Sequence, residues 1–285
     1  MTEAALPGLD GWIGREEVAE DEASLVLLRR LAALLDQDPA SIRRGAPMPE
    51  GWHVALFGPL ARQSGLGRDG HAALGEFLPP VPLPRRMFAG RRTWFQAPIA
   101  IGAAVRRVSR IAAITPKAGR SGRMIFVTVR HGIESEGREC VVEEQDLVYR
   151  EAAAPGAAVA GTPPPVLPDD ALRERFTPDT VLLFRYSAVT NNGHRIHYDA
   201  DYARGAEGYP ALVVNGGIAT TKLSELAKRQ LPGPLRQVTT RAGRPLFVGR
   251  EATLACSLEA PGRARLWALD DAGRLAFECV AECGA

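Results

Sequence analysis

Two short stretches decide how the chain is built: FQAPIAIG at residues 95–102 and GRPLFVG at residues 243–249. Both contain P-x-x-x-G, as Pro98/Gly102 and Pro245/Gly249, and the second copy lies 147 residues after the first. A single P-x-x-x-G is chance. Here an arginine-bearing run precedes each copy (Arg91 and Arg92; Arg236, Arg241 and Arg244), and a β-rich tail follows each. A repeated motif in a repeated context indicates a tandem duplication. The tails alternate. Ala252, Leu254, Cys256 and Leu258 face one way, and Leu275, Phe277, Cys279 and Ala281 repeat this after a turn at residues 271–273. Ile125, Val127 and Val129 do the same in the first half. Period-two patterning of this kind predicts antiparallel strands with one buried face.

Helical patterns are few. Residues 24–36 place Leu27, Leu28, Leu31, Leu34 and Leu35 on one stripe, and Ala219, Leu223, Leu226 and Ala227 form another, ending near Pro232-Gly233-Pro234. Each half is therefore expected to hold one main helix followed by a run of strands, an α+β layer architecture. Between the halves, residues 152–168 read AAAPGAAVAGTPPPVLP, uncharged and rich in Pro, Ala and Gly. That composition marks a linker. It gives an N-terminal domain at 1–151 and a C-terminal domain at 169–285, both of ordinary domain size.

Composition narrows the function. The chain has 285 residues, 46% hydrophobic and 24% charged, with a net charge of +2. The apolar share excludes disorder. The balanced charge argues against a nucleic-acid binder, which needs a concentrated basic excess. The start, MTEAALPGLDGW, is acidic and broken by proline, unlike a signal peptide, and no apolar run approaches a membrane span. Cys140, Cys256, Cys279 and Cys283 read as reduced thiols, so a cytoplasmic protein without membrane association is expected. Cys279 and Cys283 have no nearby histidine and make a poor zinc pair.

Histidine is scarce, yet two of the five fall in YSAVTNNGHRIHYD, residues 186–199, with Asn191, Asn192, Gly193, Arg195 and Asp199. The segment follows an apolar run, VLLF, read as a strand. Asn-Asn-Gly marks a turn, so these polar groups are expected on a loop at a strand end, where scaffolds often hold functional residues. His194, His197 and Asp199 have possible metal-ligand spacing, but no further strong ligand completes a site, and no metal is expected.

This string continues into DYAR and EGYPALVVNGG. Together these resemble the MaoC-like dehydratase and hydratase group of the hot-dog fold. The resemblance is nearer to the branch of mesaconyl-CoA and itaconyl-CoA hydratases and 3-hydroxyacyl-thioester dehydratases. The first half adds PPVPLPRRMFAGRRTWFQAP and GRSGRMIFVTVRH in the matching order. The resemblance implies a double hot dog: two antiparallel sheets, each wrapped around a central helix. It also implies reversible addition of water across an α,β-unsaturated acyl thioester. No separate cofactor is then needed, since coenzyme A or phosphopantetheine arrives as part of an acyl-CoA or acyl-carrier substrate.

Relatives carry Asp-x-Asn-Pro-x-His. Its histidine maps to His197 and its aspartate to Asn192. His197 is thus the expected general acid or base, with Asn192 orienting water or holding the histidine tautomer. The start of the second helix, Asn215, Gly216 and Gly217, is expected to offer backbone N–H groups to the thioester oxygen. Relatives read V-H-G-P there, so Asn215 and Gly217 are departures that point to a different acyl group. Tyr186 and Arg195 are candidates for a substrate carboxylate or pantetheine arm, with Asn191, Gly193 and Asp199 beside them. Arg244 is a candidate for a phosphate, and His53 for a contact from the first half. The first half has no counterpart of N-x-H-x-x-H, so one working site per chain is expected. Two other readings stand: a thioesterase using Asp199, and a non-catalytic acyl-thioester binder. Double hot-dog chains can also pair again into homodimers or larger homo-oligomers.

Overall fold

The computed structural model describes residues 8–119, 122–151 and 164–284. Residues 152–163, most of the expected linker, lie outside the described residues. In chain order the first half holds β1 (Glu16–Glu22), α1 (Leu25–Leu34), β2 (Arg85–Phe95), β3 (Ala104–Gly119), β4 (Gly122–Ser135) and β5 (Arg138–Arg150). The second half holds β6 (Leu172–Phe176), α2 (Thr180–Val189), α3 (Ala200–Gly205), α4 (Gly216–Gln230), β7 (Leu235–Ala242), β8 (Ala252–Ala260), β9 (Arg263–Leu269) and β10 (Leu275–Cys283).

All ten strands form one antiparallel sheet in the order β1-β3-β4-β5-β2-β7-β10-β9-β8-β6. The order within one half is the mirror of the other, so β1 to β5 correspond to β6 to β10. The halves join edge to edge where β2 pairs with β7, from Gly90 opposite Arg241 to Trp94 opposite Gln237. The arrangement is a double hot dog whose two sheets are continuous.

The duplicated motif has a structural reason. Gly102 and Gly249 both take positive φ, +92° and +73°, a conformation glycine adopts without a Cβ penalty. Each then donates its N–H to the residue before a helix N-cap, Gly102 to Ala23 and Gly249 to Pro178. α1 and α2 are therefore equivalents, both of 10 residues, with Ser24 and Asp179 as their N-caps. The run VLLF is thus helical. The Asp179 side chain accepts from Leu182 N–H and starts α2. Leu183 and Tyr186 turn inward, while Val181 and Phe184 face outward. A short apolar run cannot by periodicity alone separate strand from helix.

The central helix of the second half is α4, as its stripe predicts. Ile218, Ala219, Leu223, Leu226 and Ala227 are all fully buried. They share one core with Leu235, Leu254, Leu266, Cys279 and Ala281 of β7 to β10. In β8, Ala252, Leu254 and Cys256 face this core, Ala255 is buried on the other face with Trp267 and Leu269, and Leu258 is exposed where a bulge shifts the register.

The first half departs from the expected one central helix. Met48 N–H bonds Ile99 O as Val214 N–H bonds Leu246 O, which aligns residue 52 with residue 218 of α4. A single 3₁₀ turn, Trp52–Ala55, occupies that place. Phe57 then takes φ +56°, and Gly58-Pro59 follows, so no helix continues. Leu9, Val81 and Leu83 cover Ile111, Ile125, Val127 and Val129 instead. The leucine stripe at 24–36 is α1, which lies against α2.

Candidate active site

Asn191 follows α2 with φ +50°, and Asn192 N–H bonds Ser187 O, closing the helix end. The Asn192 side chain accepts from His194 N–H at 3.0 Å, which turns the chain into a 3₁₀ turn, Arg195–His197. His197 is buried, and its Nδ1 lies 2.7 Å from Val213 O. A carbonyl only accepts, so Nδ1 carries the proton and Nε2 keeps its lone pair. The tautomer is therefore set by the Val213 carbonyl, and Asn192 shapes the loop backbone. Burial lowers the His197 pKa to about 4, outweighing the opposing Val213 bond. The ring is neutral near pH 7, the form a base needs.

Val213 stands two residues before Asn215, the N-cap of α4. The tether that fixes His197 thus brings it beside a helix N-terminus, where backbone N–H groups point outward and the dipole favours negative charge. Asn215 is 1% exposed, and its Nδ2 donates to Ser187 Oγ at 3.3 Å. The glycines serve packing. A Cβ on Gly217 would lie 1.9 Å from the Tyr186 hydroxyl, and one on Gly216 would lie 3.4 Å from the Phe277 ring. Tyr186 is accordingly a buried wall against Gly217, and burial raises its pKa.

Other expected site residues are committed elsewhere. Arg195 pairs with Asp199 at 2.7 Å and stacks over Tyr202. Asp199 also caps α3 by accepting from Tyr202 N–H. Asn191 Nδ2 donates to Pro59 O in the first half. Arg244 is 9% exposed and lies 3.2 Å from Asp270. His53 is buried, with Nε2 2.9 Å from Glu143 on β5. Burial raises the Glu143 pKa, but Arg91 and the His53 bond outweigh it and hold the carboxyl well below its usual range.

The segment RDGH, residues 68–71 of the first half, was not singled out from sequence, yet it lies directly against the loop that carries His194 and His197. Arg195 N–H bonds Asp69 O and the Arg195 guanidinium bonds Arg68 O. A Cβ on Gly70 would lie 2.0 Å from Gly193 O, so the two backbones touch. Gly193 is thereby a contact for the roof. The His71 ring is 4.2 Å from the His194 ring, which meets His197 edge-on at 5.5 Å. The Asp69-x-His71 spacing, a carboxylate two residues before an imidazole, was the available signal.

A duplicated strand–helix sheet carrying one histidine-bearing loop at the head of α4 defines the MaoC-like double hot-dog hydratases and dehydratases. Comparison with known proteins agrees. Residues 51–248 match the family model of hydroxyacyl-thioester dehydratase type 2, and the chain belongs to that family. It is 46% identical over 238 residues to the mesaconyl-C(4)-CoA hydratase of Chloroflexus aurantiacus, covering 83% of this chain and 84% of that one. A solved MaoC-like dehydratase superposes with a TM-score of 0.73 at 14% identity, covering 98% of this chain and 100% of that one. A Mycobacterium tuberculosis protein described as a double hot-dog fold superposes at 0.56, with 13% identity over 94% of this chain and 95% of that one. The chain is a lyase of the hydratase and dehydratase type. No helix among the described residues is long and apolar enough to cross a membrane.

Proposed function

We propose that the chain adds and removes water across the double bond of an α,β-unsaturated acyl-CoA, with a branched dicarboxylic acyl group as its substrate class. The observation that carries the chemistry is the Val213 carbonyl holding His197 Nδ1, two residues before the N-cap of α4. In hydration, Nε2 of His197 takes a proton from water as the water oxygen bonds to C3. The π pair moves to the thioester as an enolate, opposite the N–H groups that open α4. C2 then takes a proton. Dehydration is the reverse. Coenzyme A enters as part of the substrate, and no separate cofactor takes part.

The acyl class is supported by the 46% identical relative, whose name specifies mesaconyl-C(4)-CoA. The thioesterase reading is weakened because Asp199, its carboxylate, is held by Arg195 and by the cap of α3. The test is a panel of crotonyl-, mesaconyl- and itaconyl-CoA, following loss of conjugated absorbance with a thiol reagent in parallel and His197→Ala as control. Absorbance loss without thiol release, absent in the variant, is expected. Thiol release would establish a thioesterase, and no change with any ester would overturn the lyase mechanism.

A further inference from the structure

His71 differs from the other histidines near the site. Its Nδ1 lies 2.7 Å from Asp69 Oδ2, and Asp69 Oδ1 accepts from its own N–H at 3.1 Å. A carboxylate only accepts, so Nδ1 carries the proton and Nε2 is the basic nitrogen. Donor atoms of Asp69, His71 and His194 all lie within 4.8 Å of one another, a span that one water bridges. The dyad is fixed in place by the contacts of residues 68–70 with the loop at 193–195.

His197 is the poorer place to keep a proton. Its Nδ1 partner is a neutral carbonyl, the motif's aspartate is replaced by Asn192, and Asp199 is committed to Arg195. An imidazolium there is buried without a counter-charge, whereas one on His71 faces Asp69. Resting on the hydratase reading above, we infer that the Asp69–His71 dyad of the first half stores the proton that His197 takes from water. Water gives its proton to His197 Nε2, its oxygen bonds to C3, and the π pair forms the thioester enolate. The proton passes by way of His194 to His71 Nε2, and returns by the same route to C2 as the enolate collapses. One water is consumed and no net proton is gained or lost.

Burial lowers the His71 pKa by more than Asp69 raises it, so the ring rests neutral and able to accept. Asp69, Arg86, Glu207, His194 and His197 are the charged or titratable groups around it. The same three donors resemble a cation site. However, the Arg86 guanidinium lies 3.9 Å from Asp69, which disfavours a dication, and Nδ1 is already bonded.

The test is kcat and KM against pH for the wild type, His71→Gln and Asp69→Asn, on an ester the wild type hydrates, with and without a chelator. Asp69→Asn keeps the backbone carbonyl that anchors the loop. His71→Gln is expected to lower kcat by at least about tenfold, with KM within about twofold. Asp69→Asn is expected to move the acid limb of kcat to lower pH, because the carboxylate that favours protonated His71 is gone. Wild-type kcat in His71→Gln would overturn the inference, as would a raised KM with an unchanged pH profile. Activity lost to the chelator and restored by a divalent metal would replace it with a metal site. A wild type inactive on every ester would fell the hydratase reading itself, whereas an active wild type with an unaffected His71→Gln fells only the dyad.

Discussion

The two halves share a strand order but cover their sheets differently. In the second half the 15-residue α4 lies on β7 to β10 and supplies one contiguous core. In the first half a single turn, Trp52–Ala55, stands at the matching place, and irregular chain between residues 56 and 84 runs on instead. That freed chain does not stay on its own half. Pro59 accepts from Asn191, Asp69 from Arg195, and Gly70 lies on Gly193. Duplication made two equal units. With a turn in place of the helix, the first half roofs the second.

The sharpest way to break this comparison is to substitute alanine at the matched positions of the two 3₁₀ turns. Ser41 N–H bonds Asp38 O as His197 N–H bonds His194 O, so Ser41 is the first-half counterpart of His197. His197→Ala is expected to lower kcat/KM by about 10²–10⁴-fold. Ser41→Ala is expected to leave it within about twofold, as for a surface change. An equal effect of both, measured as steady-state hydration, would mean that the first half works as well.

Next in size is the core. Leu223 on α4 is fully buried, and Leu223→Ala is expected to cost about 2–5 kcal/mol in denaturant unfolding. A loss under 1 kcal/mol would mean that α4 is not what closes the second core. The third tests close approach. Gly217→Ala drives a methyl into the Tyr186 hydroxyl and is expected to cost about 1–3 kcal/mol. Adding Tyr186→Phe, which removes that oxygen but leaves ring carbons at 2.7 and 3.1 Å, is expected to recover part of the loss. Failure to recover would mean that the helix start or the ring, and not the hydroxyl, rejects the side chain.

Much of this was legible in sequence, but unevenly. The P-x-x-x-G pair disclosed the duplication because both glycines need positive φ. The stripe of α4 was plain because its four predicted positions are all fully buried. The missing helix of the first half was also written, in Gly58-Pro59, but the stronger leucine stripe of α1 drew the assignment. The geometry of the candidate site was readable only in part. His197 stands where the motif puts it, while the partner that fixes its tautomer is a backbone carbonyl, which no side-chain pattern reveals. Arg195, Asp199 and Arg244 looked available because sequence does not show that their charges are satisfied by each other or by Asp270. The Asp69–His71 pair was hidden by distance along the chain, more than 100 residues from the loop it meets.

The halves also differ in how they respond to pH. His131 on β4 is half-buried beside Ser109, and desolvation lowers its pKa to about 4 from an ordinary 6.5. The unfolded chain therefore binds a proton between these values that the folded chain refuses. Stability is full above about pH 6.5 and is lost as pH falls toward 4, at up to about 1.4 kcal/mol per pH unit for one such group. His194 and His197 are lowered for the same reason, so the second half adds its own acid sensitivity. His131→Gln keeps a polar side chain opposite Ser109 and removes only the His131 share, leaving that of His71 in the same half. Unfolding free energy measured from pH 4.5 to 7 is expected to rise less steeply with pH in the variant, by up to one proton. An unchanged slope would mean that His131 takes up no proton in this range, leaving the acid response to His71, His194 and His197.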